Sequence, residues 1–135
     1  MLNYLEKNKK LLVYTPLFIY WIILFIATTL PVESVPSIGV GDKLNHFGAY
    51  FVLSVLLFLA LLFQKKFTLT LNLIAVYVLV ISAVYGAADE LHQMLIPGRS
   101  AEFLDWLSDV AGTFLGVIFM LSLVKKLNYR IKTAD

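Results

Sequence analysis

Tyr85-Gly86-Ala87-Ala88-Asp89-Glu90-Leu91-His92-Gln93-Met94-Leu95-Ile96-Pro97-Gly98-Arg99-Ser100-Ala101-Glu102-Phe103-Leu104-Asp105-Trp106-Leu107-Ser108-Asp109 joins two long apolar runs and holds five of the nine acidic residues, one of the two histidines and one of the eleven basic residues. Polar groups placed this close to hydrocarbon are costly, so their first reading is functional. The remainder of the chain reads as scaffolding that holds this stretch at a membrane surface.

Working outward, hydrophobic residues make up 60% of the 135 positions and charged ones only 15%, with a mean hydropathy of +0.84. A soluble domain of this size could not hide so much apolar side chain. Runs of about twenty apolar residues suit a helix rising ~1.5 Å per residue across ~30 Å of hydrocarbon. Four such runs occur, at about 11–30, 47–63, 67–88 and 103–124. The expected fold is therefore all-α, a polytopic bundle of four transmembrane helices in one domain spanning 1–135. The first run outlasts the ~7–15 residues of a signal-peptide core and ends in Thr28-Thr29-Leu30-Pro31 rather than in small residues, so it reads as an uncleaved span. Pro31, Pro36, Gly39 and Gly41 mark a loop before the second run. With no cysteine, disulfides and thiolate metal sites are excluded. The lysines flank apolar runs instead of forming a basic face, which argues against nucleic-acid binding.

Four spans place both termini and the Lys65-Lys66 loop on one side. That side collects Lys7, Lys9, Lys10, Lys65, Lys66, Lys125, Lys126, Arg130 and Lys132, leaving only Lys43 and Arg99 opposite. The positive-inside rule makes the basic side cytoplasmic. Seven of the nine acids (Glu33, Asp42, Asp89, Glu90, Glu102, Asp105, Asp109) and both histidines fall on the other side.

Helical spacing aligns the polar groups. If the second helix starts as early as Asp42, then Asp42, His46, Ala49/Tyr50 and Leu53/Ser54 share a stripe. On the third helix Ser82, Gly86, Asp89, Glu90 and Gln93 share a quadrant, with Tyr85 and His92 at its margin. On the fourth, Asp105, Asp109, Gly112 and Gly116 line up, and Gly112-x-x-x-Gly116 permits close approach of a neighbouring backbone. Interior glycines below and carboxylates above imply a polar pocket at the outer end of the bundle. Pro97-Gly98 suits the centre of a type II turn. Ser100 reads as an N-cap and Glu102 as a first-turn acid. Arg99 either neutralises the surrounding acids or binds an anionic headgroup bidentately. Trp106 reads as an interface anchor.

No cofactor is expected. His46, His92, Glu90, Asp89, Asp105 and Asp109 are ligand types for a divalent metal, yet no local H-x-x-x-H or H-E-x-x-H spacing occurs, so such a site would need three helices. Paired carboxylates with a histidine and an arginine also suit hydrolysis of a phosphate or ester, but no marked nucleophile accompanies them.

These residues resemble the VanZ-like family of bacterial membrane proteins. The resemblance lies in Asp42-Lys43-x-x-His46-x-x-x-Tyr50, Asp89-Glu90-x-x-Gln93, Pro97-Gly98-Arg99, and Asp105 followed by Gly112 and Gly116. It extends over essentially the whole chain; where this chain has Asp109 the family commonly has Asn. The resemblance implies a bacterial cytoplasmic-membrane protein associated, in its namesake, with lowered susceptibility to teicoplanin-type lipoglycopeptide antibiotics. It implies no agreed catalytic mechanism.

The expected partner is an anionic envelope lipid or lipid-linked cell-wall precursor. Arg99 and Lys43 would hold phosphate, and Asp42, His46, Tyr50, Asp89, Glu90, Gln93, Asp105 and Asp109 would orient polar groups or balance charge. The alternative is a membrane-embedded hydrolase or transferase acting on a lipid phosphate or glycolipid, with His46, Glu90 or Asp105 as catalytic groups.

Overall fold

The structure, a computed structural model, describes residues 1–31 and 41–129. Glu33, Pro36 and Gly39 of the expected loop, and Arg130 and Lys132 of the expected basic tail, lie outside the described residues. Among the described residues all regular structure is helical, and four helices are long and apolar enough to cross a membrane.

A short helix, α1 (Leu2–Lys7), precedes a π-helical turn at Lys10–Tyr14 that runs directly into α2 (Thr15–Thr29). Together the turn and α2 give a 20-residue apolar segment, Lys10–Thr29. Pro16 explains the wide turn: it lacks an N–H and crowds the preceding turn. The chain accommodates it by bonding the Thr15 N–H to the Lys10 carbonyl, with the Thr15 hydroxyl donating to the same oxygen at 2.9 Å.

The next helix, α3 (Asp42–Phe63), starts well ahead of its apolar run. Asp42 in its first turn faces the positive end of the helix dipole, which favours the early start. Thr70, whose hydroxyl accepts from the Leu73 N–H at 3.3 Å, caps α4 (Leu71–Gln93). That cap sets the start of α4 later than the apolar run beginning at Phe67, while its polar final turn continues to Gln93. The last helix, α5 (Phe103–Lys126), ends on Lys125 and Lys126, whose charges complement its negative terminus.

The most extensive interface is α3 against α5, and the glycines explain it. A Cβ on Gly112 would meet the Phe47 carbonyl oxygen, and one on Gly116 would meet the Ser54 hydroxyl and the Phe51 carbonyl. The Gly112-x-x-x-Gly116 stripe therefore packs inside the bundle, backbone against backbone. Leu53, Leu57, Phe58, Ile74, Val78, Val117, Met120 and Val124 fill the core beyond it. Outward lie Phe18, Ile22 and Phe25 of α2, Val76, Val80 and Val84 of α4, and Phe114 and Ile118 of α5. Such a coat of exposed apolar side chains suits lipid, not water.

At the basic end the Lys9 ammonium donates to the Phe63 carbonyl. There the Tyr129 hydroxyl also donates to Glu6 Oε2 at 3.0 Å, joining α1 to the stretch just after the last helix.

Candidate functional site

The opposite end of the bundle is polar. The buried face of α4 carries Ser82, Gly86, Asp89, Glu90 and Gln93, and that of α5 carries Asp105, Asp109, Gly112 and Gly116, as helical spacing implies. Asp109 is fully buried, Tyr50 is 2% exposed and Glu90 6%. Buried carboxylates need partners, and the partners they find divide the site into three parts.

At the rim, Lys43 Nζ lies 3.0 Å from Glu102 Oε2 and 3.2 Å from Asp105 Oδ1, tying the start of α3 to the start of α5. Deeper, His46 Nδ1 lies 2.9 Å from Asp109 Oδ1; an ionised carboxylate only accepts, so the imidazole donates. Beside that pair, Glu90 Oε2 accepts the Glu102 backbone N–H at 2.7 Å. Glu102 is the N-cap residue of α5 and makes no side-chain cap of its own. Glu90 thus supplies an acceptor at the start of the next helix, a place where negative charge is favourable. The expected capping role of Ser100 is corrected accordingly, because α5 starts two residues further on, at Phe103.

The third part is a cavity of about 130 Å³ between α2, α3 and α4, open on one side. Asp42, Asn45, His46 and Tyr50 line it from α3, Asp89 and Gln93 from α4, Leu24, Ala27 and Thr28 from α2, and Arg99 from the loop. Gln93 places its Oε1 3.1 Å from Arg99 Nη1.

Among the described residues Arg99 sits on no carboxylate, so the expected neutralisation of the acids is not what holds it. Its Nε donates to the Leu30 carbonyl at 2.9 Å and its Nη2 to the Ala27 carbonyl at 3.0 Å. The physical reason is that the last carbonyls of a helix have no intrahelical donors. A planar guanidinium can bridge two of them and still reach Gln93. Three of its five N–H groups are used in this way, and two are left without a partner among the described residues. The turn that presents Arg99 forms as expected: its N–H bonds the Ile96 carbonyl at 3.1 Å, and Gly98 takes φ +78°, the left-handed conformation favouring glycine.

The structure therefore brings together Asp42, Lys43, His46, Tyr50, Asp89, Glu90, Gln93, Arg99, Asp105 and Asp109, with Gly112 and Gly116 packed beneath them. It turns His92 away, against the ring of Phe25 at 5.4 Å. Trp106 proves to be an inter-helix tie, its indole N–H donating to the Ala83 carbonyl at 3.0 Å. Sequence reasoning missed the contribution of α2 and of Asn45. The Thr28-Thr29 pair at the end of the first apolar run was the available signal, since Thr28 is buried and lines the cavity.

Lipid-facing helices closed around buried charge at one end define an integral membrane protein of the multi-pass helical class. The family model described as VanZ/LLP1 matches residues 3–125, nearly the whole chain, and the chain belongs to that family. No curated protein and no solved structure matches it.

Proposed function

We propose that this protein binds the polar headgroup of an anionic envelope lipid or lipid-linked cell-wall precursor. It does so at the outer leaflet of the bacterial cytoplasmic membrane, with both termini cytoplasmic. Through that binding it influences susceptibility to teicoplanin-type lipoglycopeptides.

The observation that carries this reading is the cavity between α2, α3 and α4. Apolar Leu24, Ala27 and Ala49 share its wall with Asn45, His46, Asp89, Gln93 and Arg99. A mixed wall of this kind suits an amphiphile, whose chain stays in hydrocarbon while its head meets a few placed polar groups. The two uncommitted Arg99 N–H groups face phosphate chemistry, and the buried carboxylates and the Gln93 amide face hydroxyls or amides.

Gentle extraction followed by lipidomics of the purified protein tests the reading. Ala49→Leu fills the cavity without removing a polar side chain, and Asp89→Asn alters one polar wall. A species enriched with wild type should fall several-fold with both variants at equal membrane abundance. Identical lipid profiles for all three proteins would end the proposal. Cells carrying the Ala49→Leu chain should also match vector controls in teicoplanin susceptibility.

The competing enzyme reading has the His46–Asp109 pair in its favour. A carboxylate on Nδ1 fixes the ring and leaves Nε2 as the available base. Turnover of a lipid phosphate or glycolipid that disappears with His46→Gln supports it, whereas binding without turnover restricts the protein to recognition.

A further inference from the structure

We infer that His46, Glu90 and Asp109 form a divalent-cation site, sharing His46 with the wall of the cavity. The inference goes beyond the lipid-binding reading and does not rest on it.

Each of the three side chains offers a ligand atom, and these atoms all lie within 4.8 Å of one another. The His46 Nδ1 to Asp109 Oδ1 separation of 2.9 Å also suits two ligands set at right angles on one ion. Metal–ligand bonds of ~2.0–2.2 Å place such neighbours about 3 Å apart. A hydrogen bond accounts for that distance equally well, so the remaining observations decide.

Glu90 is 6% exposed and Asp109 fully buried, yet Glu90 Oε1 and Asp109 Oδ2 have no hydrogen-bond partner among the described residues. The nearby cations are committed elsewhere, Lys43 to Glu102 and Asp105, and Arg99 to Gln93 and the α2 carbonyls. Two buried carboxylates against one imidazole leave negative charge uncompensated in a low-dielectric setting, which a divalent ion would balance.

Space is kept for the free oxygen as well. A Cβ on Gly86 would stand 2.9 Å from Asp109 Oδ2. Asp42, His46 and Asp105 form a second ligand-distance set, sharing His46 with the first. One nitrogen and two carboxylate oxygens without thiolate suit zinc or manganese, and three protein ligands leave positions for water or a ligand oxygen.

The test uses the full chain purified in detergent, with Zn²⁺ alone as the probe and Mn²⁺ as a second ion. After loading and desalting, elemental analysis should find about one Zn²⁺ per chain, the stoichiometry of a single mononuclear site. Asp109→Asn preserves shape and the contact with His46, and Glu90→Gln preserves length. Each should weaken retention by at least about tenfold, the lower end of the effect of deleting even a supporting partner. Ser108→Ala, on α5 but outside the ligand set, where the hydroxyl only donates to the Leu104 carbonyl, should bind like wild type. Retention no greater than a protein-free detergent blank, or undiminished binding by both ligand variants, would overturn the inference.

A measurement on wild type guards against misfolded variants. Titration with Co²⁺ should give visible absorption bands that Zn²⁺ displaces. The spectrum of the free aqua ion alone would count equally against the site.

Discussion

Arg99→Ala should loosen α2 before it does anything else. The side chain supplies three hydrogen bonds across the top of the bundle, two to the terminal carbonyls of α2 and one to Gln93. Bonds to a charged donor contribute ~1.5–3 kcal/mol each when buried. Here water can reach the freed carbonyls at the half-exposed end, so the lower general figure of ~0.5–1 kcal/mol per bond applies, about 1.5–3 kcal/mol in all. Since ~1.4 kcal/mol is tenfold in an equilibrium, backbone amides of the last turn of α2 should exchange with deuterium roughly 10- to 150-fold faster. Amides in the middle of α3 and α5 should keep their protection. Arg99→Lys should recover only part of the effect, because an ammonium cannot span both carbonyls and the Gln93 oxygen. Hydrogen exchange followed by mass spectrometry on protein in nanodiscs reads this directly. Unchanged protection at residues 26–30 alongside lost lipid retention would refute the argument and make Arg99 a ligand-binding group alone.

Gly112→Ala and Gly116→Ala should each destabilise the bundle by about 1–3 kcal/mol, the usual cost of overpacking. Gly112 should be the worse, since its Cβ meets rigid backbone; Gly48→Ala, with open space at the Cβ, should be neutral or stabilising in the same thermal melts. The chain has no cysteine, so single substitutions report topology. An impermeant thiol reagent should label Ser100→Cys in intact cells and reach Lys66→Cys only after lysis. Burial and the hydrogen bond to Glu6 raise the Tyr129 phenol above its ordinary value. Its protonated form is therefore favoured in the folded state, and its contribution, complete below pH ~10, is lost as pH rises beyond it. The alkaline limb of the melting curve should flatten in Tyr129→Phe, and an unchanged limb would remove Tyr129 from the account.

Much of this arrangement is written in helical spacing. Apolar length gave four spans, and the 4-3-4 spacing from Asp105 to Gly116 placed carboxylates above glycines on one buried face. What spacing could not supply was pairing between helices. Nothing local distinguishes Glu90, which reaches the backbone of Glu102, from Asp89, which lines the cavity one position earlier. Arg99 shows the same gap: the segment that carries it holds five acids, but the groups lacking donors were the α2 carbonyls about seventy positions upstream. The start of α3 stood open between Asp42 and Phe47, because an apolar count stops at Phe47 while the stripe through Asp42 and His46 needs the earlier start that α3 takes.

The manner in which the helices touch has a mechanical consequence. Where α3 meets α5 through carbonyl oxygens and bare glycines, neither can slide or tilt without a backbone clash, so the two behave as one stiff beam. The π turn and α2 are hung differently, by side-chain hooks: the Tyr20 hydroxyl on the Ala49 carbonyl at 2.9 Å, and Arg99 on their far end. Side chains swing and let go at small cost, and backbones in contact do not. A widening of the cavity accordingly costs least at α2, whose hold on α3 and on the Arg99 loop rests on latches of this kind.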